Sequence, residues 1–289
     1  MNIVEEIKSS FKEGSALTRL IYVNVAFFLF VKITQALFFL VAKPFPIIYW
    51  LALPSGLNEL LSRPWTLITY MFLHKGFLHF LFNLLGLFWF GRMLLAHFDE
   101  RKLIGLYLLG GIIGGAFYVI AYNLFPVFLG VNSILLGASA SVIAILVALA
   151  VYTPNQEIHL VFIGKVQMKY VAIFYVFLSV LGISSTNAGG NLAHLGGAFW
   201  GYLFINQLSK GIDISNGFMK IFDWLANLFK PRKKIYVSHK QPARDDYEYN
   251  KQRAQNQDEI NQILEKISKK GYDSLTSKEK EILFKQGKK

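Results

Sequence analysis

The chain has 289 residues, 54% of them hydrophobic and 26 of them Phe, with a net charge of +12 and no cysteine; its mean hydropathy is +0.39. That is too apolar for a soluble domain of this size, so the chain reads as a multi-span membrane protein whose positive charge calls for a membrane explanation before a nucleic-acid one. The lack of cysteine excludes disulfides, thiolate metal sites and a cysteine nucleophile.

From the start, residues 1–19 set Ile3, Val4, Ile7 and Phe11 among charged residues, a pattern that suits a short helix at a membrane surface. Residues 20–42 form a first span. It is longer than the apolar part of a signal peptide and is followed by Lys43-Pro44-Phe45-Pro46 instead of a small-residue cleavage site. Residues 43–66 mix prolines with Tyr49, Trp50 and Trp65, aromatics that favour the headgroup level, so this loop is expected to lie partly sunk in the interface. Further spans are expected at about 77–96, 103–125, 139–152, 166–183 and 191–207, six in all.

Charge orients them. No Lys or Arg lies between Lys102 and Lys165 or between Lys169 and Lys210. The N-terminus, the turn after the second span (Arg92, Arg101, Lys102), the turn after the fourth (Lys165, Lys169) and the tail are basic. The positive-inside rule then puts both termini in the cytoplasm and runs the second, fourth and sixth spans from outside to inside. Lys43, Arg63 and Lys75 in the first outer loop run against it.

Polar side chains fall near the outer starts of those three spans: His79 and Asn83 on the second, Ser139 on the fourth, His194 on the sixth. At about 1.5 Å per residue, Ser139 lies roughly 20 Å from the inner end at Tyr152, and Asn83 and His194 roughly 20–24 Å from theirs. In a hydrocarbon core about 30 Å thick these groups share one depth, where they must face protein or a wet cavity. The fourth span reaches only about 21 Å, so its N-terminus is submerged. Free N–H groups and the positive end of the helix dipole at that terminus suit an oxyanion.

Ala140, Ala144 and Ala148 on the fourth span face Gly197 and Gly201 on the sixth, small residues that permit close backbone approach. Taken singly, Ser139 is a packing serine returning a hydrogen bond to its own helix. Within reach of a base it becomes a nucleophile, and His194 is the candidate base. No triad is available, because between Glu13 and Glu157 the acidic residues are Glu59, Asp99 and Glu100, all outside the spans. His79 and Asn83, four apart, share a helical face, either as donors to a carbonyl oxygen or as interhelical hydrogen-bond partners.

His74-x-x-x-x-His79-x-x-x-Asn83, Gly137-x-Ser139 and Asn191-x-Ala193-His194-x-x-Gly197-x-x-x-Gly201 stand in this order on alternate spans. Together they resemble the rhomboid intramembrane serine proteases over about residues 20–208. The resemblance implies an all-α membrane protein with a bundle of six transmembrane helices. Ser139 would be nucleophile and His194 general base, then general acid. His79, Asn83 and the Ser139 N–H would line the oxyanion hole, and His74 would be structural near the mouth. The fifth span and the cap over Ser139 would gate entry of transmembrane protein substrates from the lipid bilayer. No cofactor, metal or nucleic acid is expected. Similarity to bacterial members with short cytoplasmic tails implies a place in the plasma (inner) membrane.

Three departures from the commonest family pattern stand out. Ala140 replaces a glycine and adds a methyl at the tightest point; Trp65-Thr66 replaces a Trp-Arg pair, so a structural arginine anchor is missing; Ile143 stands where some members place a ring against the histidine. Ser141 is a decoy, turned about 200° from Ser139 around the helix.

Beyond the membrane domain, residues 209–234 combine an amphipathic stretch (Phe218, Ile221, Phe222, Trp224, Leu225, Leu228, Phe229) with the basic run Lys230-Pro231-Arg232-Lys233-Lys234, suited to anionic headgroups or equally to a solvated linker. Residues 235–256 are polar and expected to be flexible. Residues 257–289 read as a two-helix cytoplasmic module, with Ile260, Ile263, Leu264 and Ile267 at helical spacing, Gly271 as a stop and Thr276-x-x-Glu279 as a capping box. The alternative function is a catalytically inactive relative that binds transmembrane clients, which Ala140 keeps open. A transporter, channel or intramembrane aspartyl protease is disfavoured by spans free of Asp and Glu, and a zinc protease by the lack of His-Glu-x-x-His.

Overall fold

A computed structural model describes residues 2–160, 164–228 and 246–286. The chain divides into two units, one up to Phe229 and one from Lys230 onward.

The first unit opens with the helix α1, Ile3–Glu13, and its exposed Val4, Ile7 and Phe11. Ser15 then caps α2, Ala16–Leu40, by accepting from Thr18 N at 3.3 Å. A folded loop follows: α3 (Ile47–Leu51), the two-residue strand β1 (Leu53–Pro54), α4 (Leu57–Ser62), α5 (Thr66–Thr69) and a 3-10 turn at Tyr70–Phe72. The long helices α6 (Phe77–Leu95) and α7 (Glu100–Leu124) are joined by a tight turn, where Asp99 caps α7 by accepting from Lys102 N at 2.9 Å. After α7, the strand β2 (Ile134–Leu135) pairs antiparallel with β1, Leu53 opposite Leu135, and delivers the chain to α8, Ser139–Tyr152. A short antiparallel pair, β3 (Glu157–Leu160) and β4 (Gly164–Gln167), leads into α9 (Met168–Leu181) and α10 (Ala188–Leu208).

The helices α2, α6, α7, α8, α9 and α10 make an all-α membrane bundle. Of these, α2, α6 and α7 are each long and apolar enough to cross a membrane unaided, whereas α8 is a shorter apolar helix. Where the charge pattern places only a basic turn, β3 and β4 form an antiparallel pair. Alternation through Glu157-Ile158-His159-Leu160 and Lys165-Val166-Gln167 encodes it, with half-buried Ile158 and Val166 opposite each other in the register.

Everything in this unit is arranged around α8. Each residue from Ala140 to Ala150 is buried, because α6, α7, α9 and α10 all pack on it. The closest approaches use missing side chains. A Cβ on Gly197 would overlap the Ala140 carbonyl, and one on Gly201 would overlap the Ala144 carbonyl, so α10 lies backbone to backbone on α8. On the other side, a Cβ at Gly114 of α7 would come within 2.6 Å of the Ala140 methyl and 2.7 Å of the Ala193 carbonyl. The methyl that Ala140 adds is therefore received by a notch in α7.

The loop between α2 and α6 is tied down just as specifically. Arg63 is 3% exposed: its guanidinium lies 3.8 Å over the Tyr49 ring, donates to the Tyr49 carbonyl and pairs with Glu59 Oε2 at 3.0 Å. The expectation that an arginine anchor is missing is thus corrected: the anchor is Arg63, two residues before Trp65. Trp65 Nε1 donates to Trp50 O at 2.8 Å, Thr69 Oγ1 to Leu51 O at 2.6 Å, and Asn123 Nδ2 of α7 to Ser55 O at 2.8 Å. Every one of these bonds satisfies a loop carbonyl that a membrane interface would otherwise leave bare.

The last helix of this unit, α11, Asn216–Leu228, packs on α7 through buried Met219, and its Asp223 pairs with Arg101 at 2.8 Å. Ile221 and Trp224 are exposed. Phe229 and the basic run from Lys230 to Lys234 lie outside the described residues.

The second unit is a helical hairpin: α12 (Asp246–Lys270), a turn at Gly271 with φ +77, and α13 (Ser277–Gln286). Its first helix begins well inside the stretch expected to be a flexible linker; residues 246–256 are helical. Ile263 and Leu275 are buried. Thr276 and Glu279 form the capping box, Thr276 N donating to Glu279 Oε2 at 2.7 Å. Lys266 Nζ reaches the same carboxylate at 2.8 Å.

Candidate active site

The site lies where the N-termini of α6, α8 and α10 meet. Gly137 prepares it: its φ of +128 is open to glycine alone, its N–H donates to the Tyr70 carbonyl at 3.0 Å, and the turn sets Ser139 as the first residue of α8. Being first, Ser139 has a backbone N–H with no carbonyl one turn back, since the earliest intrahelical bond runs from Val142 N to Ala138 O. That N–H therefore points out of the helix start beside the Ser139 hydroxyl.

His194 stands on the second turn of α10, and its Nε2 lies 2.7 Å from Ser139 Oγ, a full hydrogen bond between residues 55 apart. The backbone contacts at Gly197 and Gly201 make the distance possible, since larger residues there would hold α10 away. Both side chains are half-buried, so the pair is reachable from outside the bundle. Ser141 is fully buried, and no hydrogen-bond partner of its hydroxyl is found among the described residues.

Across from the pair, the His79 ring closes on Gly137: a Cβ there would lie 2.8 Å from His79 Cε1 and 3.0 Å from Nε2. Glycine at 137 therefore serves twice, once for its φ and once to admit the ring. Asn83, buried one turn further along α6, donates one Nδ2 proton to the His79 carbonyl at 2.7 Å. His74 is buried behind them with its ring edge-on to His79 at 5.3 Å and to Phe80 at 5.4 Å, a packing role. Of the four residues singled out from the sequence, Ser139 and His194 are in contact, His79 lies against Gly137 two residues before Ser139, and Asn83 stands one turn along α6 from His79.

Two further residues complete it. Asn191 Nδ2 donates to Gly182 O at 2.7 Å and to Asn187 O at 3.0 Å, closing the turn between α9 and α10 just above His194. Ser179, near the end of α9, has its Oγ 3.3 Å from His194 Nδ1. Nothing in the sequence reading pointed to Ser179. Its signal was positional: Ser179 stands near the end of α9 and His194 in the second turn of α10, on neighbouring helices joined by a short connection.

A family model for the rhomboid domain matches residues 61–211, more than half the chain and the whole stretch from Arg63 to the end of α10. The chain belongs to the rhomboid family. Among curated proteins, this rhomboid is similar to the RHOMBOID-like protein 12, mitochondrial, of Arabidopsis thaliana, 31% identical over 161 residues. The match takes in 52% of this chain and 48% of the relative, so the rhomboid spans about half the length of that protein. A second model, for a family of unknown function (DUF6576), matches residues 245–289, which include the whole α12–α13 hairpin.

Proposed function

We propose that this rhomboid is an intramembrane serine endopeptidase acting on transmembrane proteins through a Ser139–His194 dyad. The observation that carries the reading is the 2.7 Å contact between His194 Nε2 and Ser139 Oγ. His194 takes the hydroxyl proton as Ser139 attacks the scissile carbonyl, and the imidazolium returns it to the leaving amine. The oxyanion faces the Ser139 N–H, His79 and the second Nδ2 proton of Asn83, donors held in place before substrate arrives. Water then releases the acyl group by the same route in reverse. Among the described residues, no carboxylate bonds His194.

The Ala140 methyl supports activity as much as silence. It lies in the Gly114 notch, and the dyad closes beside it. The run of basic turns supports a membrane orientation with both termini on the cytoplasmic side of a plasma (inner) membrane, which sets Ser139 near the outer face.

Labelling the detergent-purified protein with a fluorophosphonate tests the reading, since such probes react with a serine whose base and oxyanion site are assembled. Labelling that is lost in both Ser139→Ala and His194→Ala is expected, with Ser141→Ala unaffected. A folded wild type that fails to label would give the chain the role of a silent binder of transmembrane clients.

A further inference from the structure

We infer that Ser179 of α9 is a positioning residue that fixes the tautomer and orientation of His194, so that the base is held from a third helix by a neutral hydroxyl. The inference rests on the serine-protease reading above and extends it to a residue outside the dyad.

The argument turns on where one proton goes. Ser179 is 3% exposed and sits in the last turn of α9. Its Oγ lies 2.9 Å from the Tyr175 carbonyl, four residues back, and 3.3 Å from His194 Nδ1. A carbonyl oxygen only accepts, so the single hydroxyl proton of Ser179 is committed to Tyr175. What the hydroxyl then offers His194 is a lone pair. A lone pair beside Nδ1 favours the tautomer with the proton on Nδ1, and that leaves Nε2 bare toward Ser139 Oγ. Bare Nε2 is the form that can take the Ser139 proton; the other tautomer would donate to Ser139 and could accept nothing.

The rest of the surroundings leave this task to Ser179. The acidic residues nearest in sequence to these helices, Glu157 and Asp213, lie beyond their far ends, so no carboxylate on α8, α9 or α10 can face the imidazole. Ile143, one turn along α8 from the nucleophile, offers no polar atom. Among the described residues, the His194 ring hydrogen-bonds Ser139 and Ser179.

Two measurements on the full-length protein in detergent test this. The first is nitrogen NMR of histidine-labelled protein, with His194→Gln identifying the His194 signals. Wild type should carry its proton on Nδ1, Ser179→Ala should show both tautomers, and Ser179→Thr, which keeps the hydroxyl and the bond to Tyr175, should match wild type. The second is cleavage of a transmembrane substrate: Ser179→Ala should lower kcat by about 3- to 10-fold with KM unchanged, the size of one neutral hydrogen bond, and Ser179→Thr should restore it. Ser179→Ala removes one atom and a bond that helices readily forgo, so its melting temperature should stay close to wild type. A wild-type proton on Nε2, or a Ser179→Ala protein with unchanged tautomer and kcat, would overturn the inference. A chain that cleaves nothing would end the protease reading, while the NMR result would still decide the role of Ser179.

Discussion

The two helices that reach His194 are held in opposite ways. α10 lies backbone to backbone on α8 through Gly197 and Gly201, and α8 is buried along almost its whole length. α9, which brings Ser179, presents Phe174, Phe177 and Leu181 outward, each more than half exposed, and a crevice of about 880 Å³ separates it from α6. The difference separates two requirements. On the protease reading proposed above, a nucleophile and its base need a distance fixed to a few tenths of an ångström, which close-packed backbones supply and flexible side chains do not. The group that sets the tautomer needs only to be present, so a loosely backed helix is sufficient.

Substitutions can break this contrast or sharpen it. The largest effect is expected at the tight interface: Gly197→Ala forces a methyl into the Ala140 carbonyl and should cost about 3 kcal/mol, read as a lowered melting temperature in detergent, with fluorophosphonate labelling lost. Next comes the loop that buttresses the helix starts. Arg63→Met strips the Tyr49 carbonyl of its donor and Glu59 of its partner, and about 2 kcal/mol should be lost. Arg63→Lys should recover only part, since an ammonium cannot lie flat on Tyr49 while reaching both oxygens. On α9 the expectation reverses. Phe177→Ala should move stability by no more than about 0.5 kcal/mol, because lipid is as apolar as the side chain it replaces; a Gly197-sized loss there would erase the distinction.

The smallest effect concerns the α12–α13 hairpin. Hydrogen bonds from Lys266 and Thr276 pull the Glu279 carboxyl down to about 2. A depressed carboxylate stabilises the fold above its ordinary pKa and loses that contribution as pH falls toward about 2, so the hairpin should loosen in acid. Carboxyl-carbon NMR of Glu279 reads this directly, and Lys266→Met should move the midpoint back toward the ordinary value.

How much of this was legible in the sequence depends on what each residue reports. Ser139 and His194 were readable because a hydroxyl and an imidazole at the starts of apolar helices have no bland reason to share a depth. The close packing was readable from glycine and alanine spacing. Ser179 was not, because a serine bonded to its own helix looks the same whether or not an imidazole lies beyond it. Arg63 was overlooked because a family pattern fixes a position in sequence, whereas a guanidinium on a long stem can anchor the loop from three residues away. The early start of α12 was missed because Asp246 to Asn256 holds only Tyr247, Tyr249 and Ala254 among polar residues and shows no aliphatic stripe.

The notch at Gly114 sets which side of this helix contact can carry a methyl. It can be filled from one side only. A methyl at Ala140 enters it with the dyad still closed, so Ala140→Gly should leave labelling as it was. A methyl at Gly114 would press on the carbonyl of Ala193, the neighbour of His194, and displace the base. The close approach of α7, α8 and α10 therefore depends on glycine at 114 more than on glycine at 140.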